Sequence, residues 1–394
     1  MKVLVADKFP EVYIEQIKKL GLDVEYNPKL KESDLPGASM DVDVLIVRST
    51  IVNAETINSS NKLNLVIRAG AGVNNIDVAA ANKKGVYVAN CPGKNSIAVA
   101  ELAIGMMISL DRRIANNVID FKNGKWNKAE YSKAEGLFGK TLAIIGVGNI
   151  GKEVAKRAMA LGLNVYGKDV YRFESEYIKD FEDLNKLLSM ADIISIHLPL
   201  TKDTRGIFNK DIFNLLKPGA ILINTSRAEV IDEEALIEAV NTKNIRVGLD
   251  VFKGEPEGKD GVVSSPLQQL DNVYVTHHIG ASTEQAQNAV AQETVNIIKD
   301  YINSGVIAHW VNRAKKTEAH FQLVVKHYDK PGVLAAVFDI LKEGQINIEE
   351  VENVIFDGGL AASCTMKLSK SATPEMLEAI RTNENVINIS HIEI

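Results

Sequence analysis

The residues best suited to chemistry lie between positions 140 and 283. Segment 140–146 reads as a strand that ends in Gly146-Val147-Gly148-Asn149-Ile150-Gly151, and a helical pattern follows through Ala155 and Ala158 to Leu161. In such a setting Gly146 allows a tight turn, Gly148 lets backbone approach a pyrophosphate, and Gly151 lets helix and strand pack closely. The helix start adds amide hydrogens and the positive end of a dipole. A second strand, 164–167, leads to Asp169. That is close to the spacing of about 20 residues expected of an acid that binds the adenosine ribose. A carboxylate there repels a 2′-phosphate, so the expected cofactor is NAD rather than NADP.

Hydride transfer at an alcohol carbon also needs a proton acceptor for the hydroxyl and a cation for a carboxylate and a polarised carbonyl. Three residues further along supply these types: Arg227 after the apolar run 220–224, Glu255 before Pro256, and His278 in Thr276-His277-His278-Ile279. Taken singly, Arg227 could cap a turn and Glu255 could be a solvated loop acid. Arg48 and Arg68 each end an apolar run, 42–47 and 65–67. Cations at the carboxyl ends of neighbouring strands converge where α/β ligands bind.

The elements that must carry these residues follow one pattern. Candidate strands at 3–6, 42–47, 65–68, 86–89, 141–146, 164–167, 193–197, 220–224, 247–251 and 273–276 are rich in Val and Ile and often apolar throughout. Helical patterns at 10–20, 97–117, 150–161, 232–241 and 283–303 separate many of them. Alternation of this kind predicts parallel sheets covered by crossover helices. Strands and helices precede the glycine motif, so two α/β domains are expected, with 97–117 as one long connecting helix. The polar, basic stretch 311–317 reads as a linker. Beyond it, strands at 321–327, 348–356, 360–368 and 386–392 and helices at 332–342 and 374–382 predict a ferredoxin-like βαββαβ unit, with Asp357-Gly358-Gly359 as a turn.

Composition limits the alternatives. The 394 residues carry 45 Lys+Arg against 51 Asp+Glu, a net charge of −6, with 46% hydrophobic and 24% charged residues. This is a globular composition, and it lacks the positive excess that binds nucleic acid or anionic membrane. The apolar run 97–110 contains Glu101 and is too short to span a bilayer. A cytoplasmic protein is expected. Cys91 and Cys364 are far apart and no cluster has metal-ligand spacing, so both read as buried apolar side chains and no metal site is expected.

The ordered set Arg68-Ala69-Gly70, the glycine motif, His197-Leu198-Pro199-Leu200-Thr201, Asn224-Thr225-Ser226-Arg227 with Val230-Ile231-Asp232-Glu233, Glu255-Pro256 and His278-Ile279-Gly280-Ala281-Ser282-Thr283 resembles the D-isomer-specific 2-hydroxyacid dehydrogenases over nearly the whole chain. The resemblance implies two Rossmann-like domains: a discontinuous, flavodoxin-like substrate domain of residues 1–92 and 280–312, and a doubly wound NAD domain of residues 93–279. It implies His278 as the acid–base group, Glu255 as its hydrogen-bonding partner and Arg227 as the ligand of the substrate carboxylate and 2-oxygen. For NAD it implies Gly146, Gly148, Asn149, Ile150, Gly151, Asp169, Thr225, Gly280 and Ala281, with Asp250 anchoring the nicotinamide carboxamide.

The same resemblance places a small phosphorylated 2-hydroxy acid at Arg48, Arg68 and Gly70, with Arg48 on the phosphate and Lys133 or Lys140 as further cations. The implied reaction is NAD-dependent oxidation of 3-phospho-D-glycerate. Other D-2-hydroxyacid dehydrogenases, such as 2-oxoglutarate or glyoxylate reductases, and a non-catalytic NAD sensor are the competing expectations. His277 stands where the family usually has proline, and Ala228 and Glu229 replace glycines. Residues 318–394 resemble an ACT domain, which implies a homodimer or homotetramer and L-serine as an effector between two such domains, at His327, Asp329 and Asn347, with Asn347 facing the His327 turn of the partner chain.

Overall fold

The computed structural model describes residues 1–256, 261–314 and 317–394. Its contacts divide the chain into two compact units, Met1–Asn312 and Arg313–Ile394.

The first unit holds two parallel sheets. Strands β1 (Lys2–Val5), β2 (Asp23–Tyr26), β3 (Val44–Val47), β4 (Leu65–Arg68) and β5 (Tyr87–Asn90) lie in the order β2-β1-β3-β4-β5. All four neighbouring pairs are parallel. β3 and most of β4 are buried, as continuous apolar runs covered on both faces must be. The edge strand β2, Asp-Val-Glu-Tyr, is mostly exposed and has no apolar run, so it gave no signal in the sequence. At the carboxyl ends, Asp7 Oδ2 accepts the amides of Arg48 (2.6 Å), Ser49 (2.9 Å) and Thr50 (3.0 Å). That carboxylate ties the end of β1 to the end of β3.

Seven further strands form the second sheet: β6 (Thr141–Ile145), β7 (Asn164–Lys168), β8 (Lys179–Asp180), β9 (Ile193–Ile196), β10 (Ile221–Asn224), β11 (Arg246–Leu249) and β12 (Val273–Val275). Their order is β12-β11-β10-β9-β6-β7-β8. The chain reverses direction of growth between β6 and β9, and a crevice opens outside the carboxyl ends at such a reversal.

The expected single helix over 97–117 is two helices, Ser96–Arg112 and Ile114–Lys122. Arg113 breaks it in a left-handed conformation (φ 51°), held by a 2.6 Å bond from its Nη1 to Glu130 Oε1 and by its place over the Tyr131 ring. The helix Glu284–Ser304 begins beneath a Thr283 cap and returns to the first sheet, where Val295 and Ile298 share a core with Val3, Val5 and Ile46.

The expected linker begins later than its composition suggested. Val311 N donates to Val88 O (2.8 Å) and Asn312 Oδ1 accepts the Val88 amide (2.8 Å), so both are fastened to β5. Lys315 and Lys316 of that stretch lie outside the described residues.

The second unit has strands β13 (Phe321–Tyr328), β14 (Ile348–Ile355), β15 (Ala361–Leu368) and β16 (Val386–Glu393), antiparallel in the order β14-β15-β13-β16. Helices Val333–Glu343 and Pro374–Arg381 complete a βαββαβ path. β15 alternates strictly, and its Cys364 and Met366 pack with Leu323, Val337 and Ile380. Among the described residues no helix is long and apolar enough to cross a membrane, and no group of three potential metal ligands occurs. Cys91 and Cys364 are buried and free.

Candidate active site

The glycine loop after β6 is shaped by contact. Gly146 has φ 94°, and a Cβ there would lie 2.6 Å from the His197 carbonyl oxygen. A Cβ on Gly151 would lie 2.3 Å from the Gly146 carbonyl oxygen. Gly148, which precedes the helix Asn149–Ala160, faces open space instead. Two glycines thus serve packing, and the middle one leaves room above a helix start. Asp169 follows β7 and accepts the Val147 amide at 2.7 Å, so its carboxylate also fixes the loop.

A cleft of about 1520 Å³ runs past Ile150, His197, Thr225, Arg227, Asp250 and His278. Thr225 Oγ1 and His197 Nδ1 are buried there without a hydrogen-bond partner among the described residues. Buried polar atoms are seldom left so unless a ligand or water meets them. Burial pushes the His197 pKa down to about 3, so the ring is neutral. Its Nε2 pairs with Ser195 Oγ at 2.9 Å. An open helix start, a ribose-side acid and orphaned polar atoms beside a long cleft fit a dinucleotide.

Asp250, 1% exposed, follows β11. Its Oδ1 accepts from Thr276 Oγ1 (2.6 Å) and Ile279 N (2.8 Å), and its Oδ2 accepts from Gly280 N (2.8 Å). The sequence pointed to a cofactor anchor. The structure gives this carboxylate a loop to hold, gripping both sides of His278, whose φ is 51°. His278 Nδ1 lies 2.8 Å from Glu255 Oε2, and Glu255 Oε1 accepts the Phe252 amide at 2.8 Å. The hydrogen bond that His278 donates to Glu255 raises the imidazole pKa, outweighing the opposite effect of burial. Nε2 of His278 has no partner among the described residues.

Arg227 follows β10 in a turn set by Asn224, whose Oδ1 accepts from Ser226 N and Oγ and whose Nδ2 donates to Arg227 O (2.9 Å). Arg227 reaches the loop after β4: a Cβ on Gly72 would lie 2.8 Å from its Nη2. Arg68 Nε donates to Arg48 O at 3.1 Å, and its guanidinium folds over Gly70 so closely that a Cβ there would be 1.8 Å from Nη1. Burial, then the charges of Arg227 and Arg48, lower the Arg68 pKa. The three arginines therefore meet at one place, with Glu229 and Ala228 on the cleft wall beside them.

A second cavity, about 670 Å³, shares His278, Arg48 and Arg68 with the first and adds Lys8, His277 and Gln287. Ala281 borders both cavities. Sequence reasoning missed Lys8. Its signal was its place just after Asp7, past the end of the first strand. Lys133 and Lys140 border neither cavity at His278: they pair with Glu130 and Glu135 at the amino ends of the second sheet.

In the second unit His327 is 2% exposed, with Nδ1 on Tyr328 O (2.8 Å) and Nε2 on Asn353 Oδ1 (3.2 Å). Asn347 donates to Glu349 (2.8 Å), and Asp329 N donates to Leu360 O (3.1 Å). His327 pairs with Ala362 at one end of β15, while Ile348, next to Asn347, pairs with Leu368 at the other. Within one chain His327 and Asn347 stand at opposite ends of β15, as the expected site between two chains requires.

A parallel sheet with a glycine-loop crevice, opened towards an imidazole–carboxylate pair and a guanidinium, defines an NAD-dependent dehydrogenase of hydroxy acids. The family described as D-isomer specific 2-hydroxyacid dehydrogenase, NAD binding domain, matches residues 104–280. The D-3-phosphoglycerate dehydrogenase of Methanocaldococcus jannaschii is 37% identical over 386 residues, covering 96% of this chain and 72% of the relative. The hydroxypyruvate reductase of Thermotoga maritima is 44% identical over 271 residues, covering 68% and 88%. The cofactor (NAD+)-bound 3-phosphoglycerate dehydrogenase of Entamoeba histolytica superposes with a TM-score of 0.67 at 30% identity, covering 79% of this chain and 99% of that one. The chain belongs to the D-isomer-specific 2-hydroxyacid dehydrogenase family.

Proposed function

We propose that this protein oxidises 3-phospho-D-glycerate to 3-phosphohydroxypyruvate with NAD, the first step of phosphorylated serine synthesis. The observation that carries this reading is the meeting of Arg48, Arg68 and Arg227 beside the His278–Glu255 pair. A substrate with a carboxylate at one end and a phosphate at the other needs more than one cation. The phosphoglycerate dehydrogenase relatives support it.

NAD, held at Gly146, Gly148, Asn149, Ile150, Gly151, Asp169 and Thr225, would accept the hydride from C2. The rest of the chemistry falls to the chain. His278 Nε2 takes the C2 hydroxyl proton as the carbonyl forms and returns it in reduction. Glu255 fixes the ring through Nδ1 and stabilises the imidazolium. Arg227 holds the carboxylate and the 2-oxygen. Asp250 keeps the His278 loop in place through the amides of Ile279 and Gly280.

In the same reading, residues 1–92 and 280–312 form the substrate domain and 93–279 the NAD domain. The return of the helix Glu284–Ser304 to the first sheet supports this division. Residues 318–394 form an ACT domain, which assembles copies into a homodimer or homotetramer and takes L-serine between two of them. Its unpaired edge strands β14 and β16, with half-exposed Val351, Ile355 and Ile387, support assembly. The buried free thiols accord with a cytoplasmic location.

The Thermotoga maritima relative favours a second reading, reduction of unphosphorylated hydroxypyruvate. A steady-state NADH absorbance assay separates the two. The proposal expects kcat/KM to be highest for 3-phosphohydroxypyruvate. Faster turnover of hydroxypyruvate, glyoxylate or 2-oxoglutarate would overturn it, and no turnover of any would leave an NAD-binding protein.

A further inference from the structure

We infer that Lys8 and His277 complete the phosphate end of the substrate site together with Arg48, and that they set the preference for a phosphorylated acid. The inference rests on the proposed function and names two residues that reading does not use.

The cavity bordered by Lys8, Arg48, Arg68, His277 and Gln287 meets the larger cleft at His278, whereas Arg227 borders only the larger cleft. A substrate whose C2 hydroxyl lies at His278 and whose carboxylate lies at Arg227 therefore directs its other end into the smaller cavity. The charges there are lopsided. Arg68 donates to the Arg48 carbonyl, and Glu255 is occupied by His278 and the Phe252 amide. The ammonium of Lys8, the guanidinium of Arg48 and the ring of His277 have no hydrogen-bond or ion-pair partner among the described residues. Three unpaired donors around one cavity form a receptor for an anion with several acceptor oxygens.

The backbone places two of the three. Asp7 accepts three successive amides from Arg48 to Thr50, which locks the end of β1 onto the end of β3 and sets Lys8, the next residue, beside Arg48. His277 comes from the segment after β12. It is exposed and lies within the loop that Asp250 clamps, between Thr276 and Ile279. Proline at this position would offer no donor. Histidine borders the cavity and offers an N–H that a phosphate oxygen can accept, a contact the unphosphorylated analogue cannot use.

The test compares wild type, Lys8→Met and His277→Leu, which removes the ring N–H, with 3-phosphohydroxypyruvate and hydroxypyruvate in the NADH assay. The reading is the ratio of kcat/KM for the phosphorylated acid to that for the unphosphorylated one. Loss of a charge-assisted bond to phosphate lowers this ratio by about 10-fold or more in each variant, through KM for the phosphorylated acid. An unchanged ratio in both variants, or an equal loss on both substrates, overturns the inference while leaving the proposed function intact. A wild-type enzyme without preference for the phosphorylated acid overturns the proposed function, and this inference falls with it.

Discussion

Glu255 Oε2 lies 2.8 Å from His278 Nδ1, and the other oxygen of the same carboxylate takes the Phe252 amide at 2.8 Å. One side chain thus fixes the ring of the acid–base residue and the loop that carries the carboxylate. Because Nδ1 is committed to Glu255, Nε2 is the nitrogen left to exchange a proton with substrate.

This pairing has a pH signature. Glu255 favours the imidazolium and raises the His278 pKa. Oxidation needs the neutral ring, so its kcat/KM falls as pH drops through that raised pKa. Reduction needs the imidazolium and falls as pH rises through it. Glu255→Gln keeps an acceptor for Phe252 N but removes the charge. Both limbs should then move to lower pH, as read from kcat/KM profiles in the two directions. Limbs that stay in place would assign the titration to another group.

His278→Gln should lower kcat by about 10²–10⁴-fold, the usual worth of general acid–base help. NADH binding, followed by nicotinamide fluorescence, should persist, because the glycine loop and the Asp250 clamp do not depend on the imidazole. His277→Gln should leave kcat much closer to wild type. The reverse outcome would exchange the roles of the two histidines.

The glycines separate packing from binding. A Cβ at residue 151 would meet the Gly146 carbonyl oxygen at 2.3 Å and Ile144 Cγ2 at 3.0 Å. Backbone cannot step aside, so Gly151→Ala should cost about 1–3 kcal/mol of stability in denaturant unfolding. Gly148 faces open space with φ −75°. Gly148→Ala should unfold within about 0.5 kcal/mol of wild type, and its defect should appear as weaker NADH binding.

The fold was legible wherever a local pattern is caused by the burial it predicts. Continuous Val/Ile runs mark β3, β9 and β10, and strict alternation marks β15. The edge strands β2 and β8 have no apolar face and were invisible. The break at Arg113 was equally hidden, since it is set by Glu130 and Tyr131, which the sequence does not show as neighbours. In the site, the glycine motif, Arg227, Glu255 and His278 stood out because their residue types have few other uses at those positions. Lys8 did not, because an exposed lysine is ordinary until the Asp7 clamp sets it beside Arg48. Asp250 was noticed for its chemistry, but its partners come from a loop about 30 residues later, and only the folded chain shows that its oxygens hold that loop.

Asp169 has two roles that one substitution cannot separate. It stands at the end of β7, where an acid meets the adenosine ribose, and its Oδ2 accepts the Val147 amide within the glycine loop. Asp169→Ala removes both the charge and the loop bond, so it should weaken NADH binding more than NADPH binding, with discrimination between them reduced. Asp169→Asn keeps an oxygen for the Val147 amide and loses only the charge. Without that charge the repulsion of a 2′-phosphate is gone, and the exposed Arg172 nearby offers it a cation. The asparagine variant should therefore keep most of its NADH affinity and gain affinity for NADPH, as read by fluorescence titration with both cofactors. If asparagine and alanine behave alike, the loop bond contributes little and the charge alone sets cofactor choice. If NADPH binding fails to improve in the asparagine variant, the 2′-position does not face residue 169.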